Sequence, residues 1–168
     1  MSNTMYPLLL LLFLIVCVPL AQADEPKPKP ITIATPKGWT ELKLKDGDES
    51  LNVAARFEVG DKDNTVRSVV LRGSGSLKDN VNRWRGQLKL EPLDAEGVKK
   101  AVRPVKVGGS AGHRFDATGT DESAQRIVAV VVERDEGTWF FRMSGPVDAV
   151  EKQLKAFDEL LASARFAK

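Results

Sequence analysis

The chain is 168 residues long and carries 25 basic residues, 23 acidic ones and one histidine, for a net charge of +2. The two signs are interspersed, so the strong basic footprint of a nucleic-acid binder is absent and no nucleic-acid partner is expected. A single cysteine, Cys17, excludes an intrachain disulfide, and with one histidine, His113, the three or four close ligands of a zinc site are not to be found.

Residues 8–20 (LLLLLFLIVCVPL) form an apolar run of signal-peptide length, followed by the small-x-small pattern Ala21-Gln22-Ala23. Pro19 ends any helix a few residues before that site. The run is shorter than the roughly 18–20 apolar residues that a spanning helix needs. Residues 1–23 therefore read as a secretory signal, which puts the remainder outside the cytoplasm, in a periplasmic or extracellular setting. The leading MSNTMYP has no Lys or Arg, so an uncleaved membrane anchor is the alternative. Lipidation of Cys17 is another, opposed by Val16 standing where lipoprotein signals carry a small residue. Membrane association is expected through the N-terminus only. Cleavage after Ala23 would leave a domain with no thiol for nucleophilic or metal chemistry.

Residues 24–30 (DEPKPKP) alternate proline with charge and read as an extended linker. With a first short strand at 31–34 it makes up residues 24–35, and the domain proper runs from 36 to 168. Strands are predicted at 39–44, 51–59 and 66–71, with turns at 46–48 and 60–64. Period two puts Leu51, Val53, Ala55, Phe57 and Val59 on one face. Ser76-Leu77-Lys78-Asp79 resembles a capping box, and Leu77, Val81, Trp84 and Leu88 then form one apolar helical stripe. Residues 91–100 add a shorter helical piece. Strands follow at 102–107, 114–117 and 126–132, with a glycine-rich turn or bulge at 108–112. The run 127–132 (IVAVVV) belongs at the centre of a sheet covered on both faces. Residues 135–137 turn it into a hairpin with 138–143. Gly145-Pro146 opens a last helix with Val147, Val150, Leu154, Phe157 and Leu161 at helical spacing. The pattern is an α+β fold: a mainly antiparallel sheet flanked by helices.

The stretch TWFFRMSGP (138–146), the ending FDELLASARF (157–166), Pro36-x-Gly38-Trp39 and NRWRGQ (82–87) together resemble exported bacterial PsbP-like domains. That superfamily includes the PsbP subunit of the oxygen-evolving complex and a Ran-binding nuclear transport factor. The resemblance implies an α/β/α sandwich and a role in binding rather than catalysis. It names no partner, because no residues here match either member's binding site.

Catalysis by a Ser-His-acid or Cys-His set needs a base beside its nucleophile, and His113, just after the 108–112 turn, is the only histidine to serve as one. Asp46-Gly47-Asp48 and residues 61–64 offer oxygen ligands but do not match a calcium loop. The loop Gly73-Ser74-Gly75-Ser76 precedes a helix yet lacks the Gly-Lys-Ser/Thr ending of a phosphate loop. Candidate binding residues are Asn80, Arg83, Trp84, Arg85 and Gln87. With Trp84 turned inward, Asn80, Arg83 and Gln87 share a polar stripe, and two arginines with carboxamides suit carboxylates, phosphates or backbone amides. A solvated amphipathic face is the competing reading of the same helix. Gly86 within it suggests close packing or a local break. The expectation is a non-enzymatic accessory or binding module for an unknown protein, peptide or small anionic ligand, with no cofactor. The alternatives are a hydrolase drawing on Glu133, Asp135 and Glu136, or a tethered envelope protein.

Overall fold

A computed structural model describes residues 30–120 and 125–167; the expected signal, Cys17 and most of the linker lie outside them. In chain order the strands are β1 (Ile31–Thr32), β2 (Thr40–Leu42), β3 (Val53–Val59) and β4 (Val66–Gly73). Helices α1 (Leu77–Gln87) and α2 (Ala95–Ala101) follow, then β5 (Val102–Val107), β6 (Ser110–Thr118), β7 (Gln125–Arg134) and β8 (Gly137–Pro146). Helix α3 (Val147–Ser163) and β9 (Arg165–Phe166) complete the chain.

The seven-stranded sheet has the order β2-β3-β4-β8-β7-β6-β5, and β1 pairs with β9 in a separate two-stranded sheet. Every pairing is antiparallel. The helices α1 and α2 carry the chain from β4 to the far edge at β5. The meander β5 to β8 then walks back until β8 zips against β4. This closure makes β8 a central strand, although it comes late in the sequence.

Alternation along β7 decides the two cores. Val128, Val130 and Val132 join Val150, Phe157, Leu160 and Leu161 of α3, with Phe141 and Met143 of β8. Ile127, Ala129 and Val131 face the other way, against Val81, Trp84 and Leu88 of the α1 segment and Val98 of α2. The expected doubly covered strand is thus present, and the fold is the α+β sandwich read from the sequence.

Local signals account for most boundaries. The Ser76 hydroxyl accepts from the Asp79 amide at 3.1 Å and donates to its carboxylate at 2.7 Å, which starts α1. Asp94 caps α2 through the Gly97 amide at 2.7 Å, so that helix begins at Ala95 rather than at the expected residue 91. Leu51 does not share the core face of β3: it lies in a turn, 63% exposed, and a bulge between Val53 and Ala55 shifts the register. A Cβ on Gly86 would meet nothing within 4 Å, so close packing does not explain that glycine, which stands one residue before α1 ends. Gly108 is different. Its φ of +55° and a Cβ position 2.2 Å from the Ala164 carbonyl oxygen let the β5–β6 turn dock on the end of α3.

The coverage of the second face sets up the site. Trp84 of α1 packs on Phe115 of β6 and Phe140 of β8, with ring centres 5.9 and 6.3 Å away. The helix therefore lies over the β8–β7–β6 side of that face. A cleft runs between α1 and the strands β4 and β8.

Candidate functional site

Two cavities flank one side chain, Arg142 of β8. The first, of about 280 Å³, has Val69, Leu71 and Phe140 as its floor and Arg83, Trp84 and Gln87 of α1 as its wall. Asn80 and the Gly73-Ser74 turn close one end. The second, of about 180 Å³, is bounded by Leu42, Arg56, Arg67 and Ser144, and shares Val69 and Arg142 with the first.

Arg142 sits directly between Val69 of β4 and Ala129 of β7, on the face that α1 partly covers. Its Nη2 donates to the Gln87 carboxamide at 2.9 Å. Its Nε is buried and has no partner, and no described carboxylate pairs with the guanidinium. Burial alone pulls its pKa below the ordinary arginine value. A cation held against apolar floor residues with only a neutral amide for company is a costly arrangement, which a bound anion would relieve.

The structure sorts the five residues singled out from the sequence. Asn80, Arg83, Trp84 and Gln87 line one cavity, whereas Arg85 does not. Arg85 points to the far side of α1, where its Nε donates to the Glu91 carbonyl at 2.7 Å. Beside it, Asn82 bonds both the amide and the carbonyl of Leu93, at 2.8 and 2.9 Å, so these two residues brace the link to α2. Asn80 and Trp84 build the cavity rather than offer free groups to it. Asn80 is 2% exposed, and its Nδ2 donates to the Ser76 carbonyl at 2.9 Å and the Ser74 carbonyl at 3.4 Å. That pins the Gly73–Ser76 loop. Gly75, at φ +95°, permits the close approach, since a Cβ there would stand 3.1 Å from the Asn80 amide nitrogen. Arg83 has no hydrogen-bond partner among the described residues and lies exposed at the rim. Arg142 was missed, although TWFFRM carries the signal: period two puts Phe140 and Arg142 on one face of an otherwise apolar strand.

Other candidate chemistry is sparse. No group of three or more His, Cys, Asp or Glu among the described residues could hold a metal ion, and His113 is exposed on β6. Arg134 holds Glu136 below the usual carboxylate range, the opposite of what a general acid needs. No described helix is long and apolar enough to cross a membrane.

No family model matches the chain, and no curated protein does. Solved structures do. LpqN of Mycobacterium tuberculosis, described as involved in cell envelope biogenesis, is 12% identical, with a TM-score of 0.54 over 82% of this chain and 83% of its own. The likeness is one of fold. The cyanobacterial PsbP of Synechocystis is 12% identical over 89% of this chain and all of its own, at a TM-score of 0.49. A Bacteroides thetaiotaomicron protein is 13% identical over 83% of this chain, at a TM-score of 0.48, and this chain spans only 46% of it. At such identities neither activity nor partner transfers.

An ion pair holds Arg56, one wall of the second cavity. Asp48, buried in the turn before β3, takes Arg56 in a two-pronged grip and accepts the Lys45 amide at 2.8 Å. Arg56 first, and then that amide, lower the Asp48 pKa from 3.8 to about 2. A lowered carboxylate pKa contributes stability that is complete above a pH of about 4 and disappears as the pH falls through about 2. Urea titrations over that window should show a shallower loss of stability for Asp48→Asn than for wild type; parallel slopes would mean that the pair does not drive the acid response.

Proposed function

We propose that this chain is a binding module of PsbP-like type that holds a ligand with an anionic head and an apolar body in the cleft between α1 and β4–β8. The observation that carries the reading is the Arg142 guanidinium, which lines the cleft with a carboxamide but no carboxylate partner among the described residues. A carboxylate or phosphate oxygen is the natural acceptor for it, because a charge-assisted hydrogen bond formed away from water is strong and directional. Arg83 at the rim supplies a second cation, and Gln87 orients Arg142 from the helix side. The apolar portion of the ligand would rest on Val69, Leu71 and Phe140, beside the edge of Trp84. The volume of about 280 Å³ suits a small molecule or one side chain of a larger partner.

Binding without catalysis fits this cleft, because its lining offers cations, carboxamides and one serine but neither an acid–base pair nor an activated nucleophile. The setting we propose is outside the cytoplasm, after cleavage behind Ala23. The supporting features are the apolar run and cleavage pattern at 8–23. Intact mass of the protein recovered from its native source should then give Asp24 as the first residue. A retained N-terminus, or a lipid on Cys17, would replace the exported form with a tethered one.

Arg142→Met tests the cleft. If Arg142 is kept for a ligand, its loss should weaken binding of octanoate at least tenfold, a change of about 1.4 kcal/mol. The variant should unfold no more easily than wild type, since an uncompensated charge gives way to an apolar chain of similar length. Unchanged octanoate binding would remove the proposed function, and a large loss of stability would make Arg142 a structural residue.

A further inference from the structure

We infer that the two cavities form one groove for a linear ligand carrying two anionic groups, one at Arg142 and the other at Arg67. The inference rests on the reading of the first cavity and extends it to the class of molecule bound. Three observations lead there. The cavities share Val69 and Arg142 as a common wall, so a ligand seated on Arg142 faces both. The second cavity is lined by strand residues alone, which leaves this part of the sheet face accessible along its length. Arg56, Arg67, Arg83 and Arg142 contribute to the two linings, and no Asp or Glu does. The groove is complementary to negative charge at more than one point.

Strand register sets the spacing. Val69 stands opposite Arg142 and Arg67 stands opposite Ser144 on the neighbouring strands β4 and β8. Arg67 and Arg142 are therefore diagonal neighbours on one face, about 7–8 Å apart. The half-buried Val69 lies beside that diagonal, so the ground between the two cations suits methylene groups rather than further polar ones. Of the two arginines on the open side, Arg67 is the available anchor. Its side chain is 70% exposed and is bound to Glu58 only through Nε, at 3.1 Å. Exchanging such a surface pair for a ligand anion costs little. Arg56 is committed to buried Asp48 by three contacts and serves as the far wall.

The ligand class is thus an α,ω-dianion: two carboxylates or phosphates joined by an apolar spacer of intermediate length. A chain-length series tests it on the full-length protein, with affinities read from amide and indole shifts in NMR titrations. Affinity should rise from butanedioate to octanedioate and gain nothing from longer chains. Octanedioate should bind about tenfold tighter than octanoate, through the effective concentration of the second carboxylate. In Arg67→Gln that advantage should vanish while octanoate binds as it does to wild type. Octane-1,8-bisphosphonate, run against octylphosphonate, distinguishes a phosphate ligand from a carboxylate one. If octanoate and octylphosphonate bind but neither second anionic group adds affinity, the groove is refuted and the single-anion site stands. The same holds if Arg67→Gln keeps the full advantage. If neither monoanion binds at all, both readings fall.

Discussion

A guanidinium on an inner strand needs something to answer its charge, and the sheet arginines of this fold meet that constraint in different ways. On the α3 face, Arg114 pairs with Asp158 and Arg126 reaches both Asp116 and Glu151. Those cations are matched by carboxylates of the same chain, and the Asp116 and Glu151 bonds raise the Arg126 pKa further above its ordinary range. On the α1 face, Arg142 meets only a carboxamide, and burial lowers its pKa. Arg114 also leaves an Nε unpaired, but its charge is compensated. Arg142, unlike Arg114 and Arg126 and unlike Arg56 and Arg67 on its own face, has no carboxylate partner, and both cavities border it.

Topology places that exception. Because α1 and α2 span the sheet before β5 to β8 return, β8 closes against β4 in the middle of the sheet. The apolar stripe of α1 then settles over β6 to β8 through Trp84, and Arg142 falls at the border of the covered region. A helix shifted toward β3 would bury Arg142 completely, at prohibitive cost. One shifted toward β5 would leave it in water with no pocket. The Asn80 bonds to the Gly73–Ser76 loop fix where α1 begins, so a residue that looks like a ligand contact in the sequence acts by positioning the wall that holds Arg83 and Gln87.

Much of the scaffold could be read from residue spacing alone. The two-sided burial of 127–132 follows from an uninterrupted apolar run, and the stripes of α1 and α3 follow from helical periodicity. Period two failed at Leu51 because a bulge and a turn are decided by long-range pairing, which local alternation does not contain. The polar stripe on α1 was visible, since Arg83 and Gln87 lie three and seven residues from Asn80. Including Arg85 conflicted with the same geometry, for five residues from Asn80 it falls well round the helix from that stripe and turns toward the α1–α2 link. Arg142 required knowledge that β4, β8 and α1 meet, and their separation along the chain hides that meeting. Its signature was an arginine in step with a core phenylalanine.

The central claim is that an anion in the cleft pairs with the Arg142 guanidinium. The most direct measurement follows the arginine Nε–H signals by ¹⁵N NMR while octanoate is titrated into the protein. Arg114, on the opposite face with its own unpaired Nε, provides an internal control. The account predicts a saturable shift of the Arg142 Nε–H, with the Arg114 signal unmoved. An Arg142 signal that stays in place, or drifts only as Arg114 does, would contradict it.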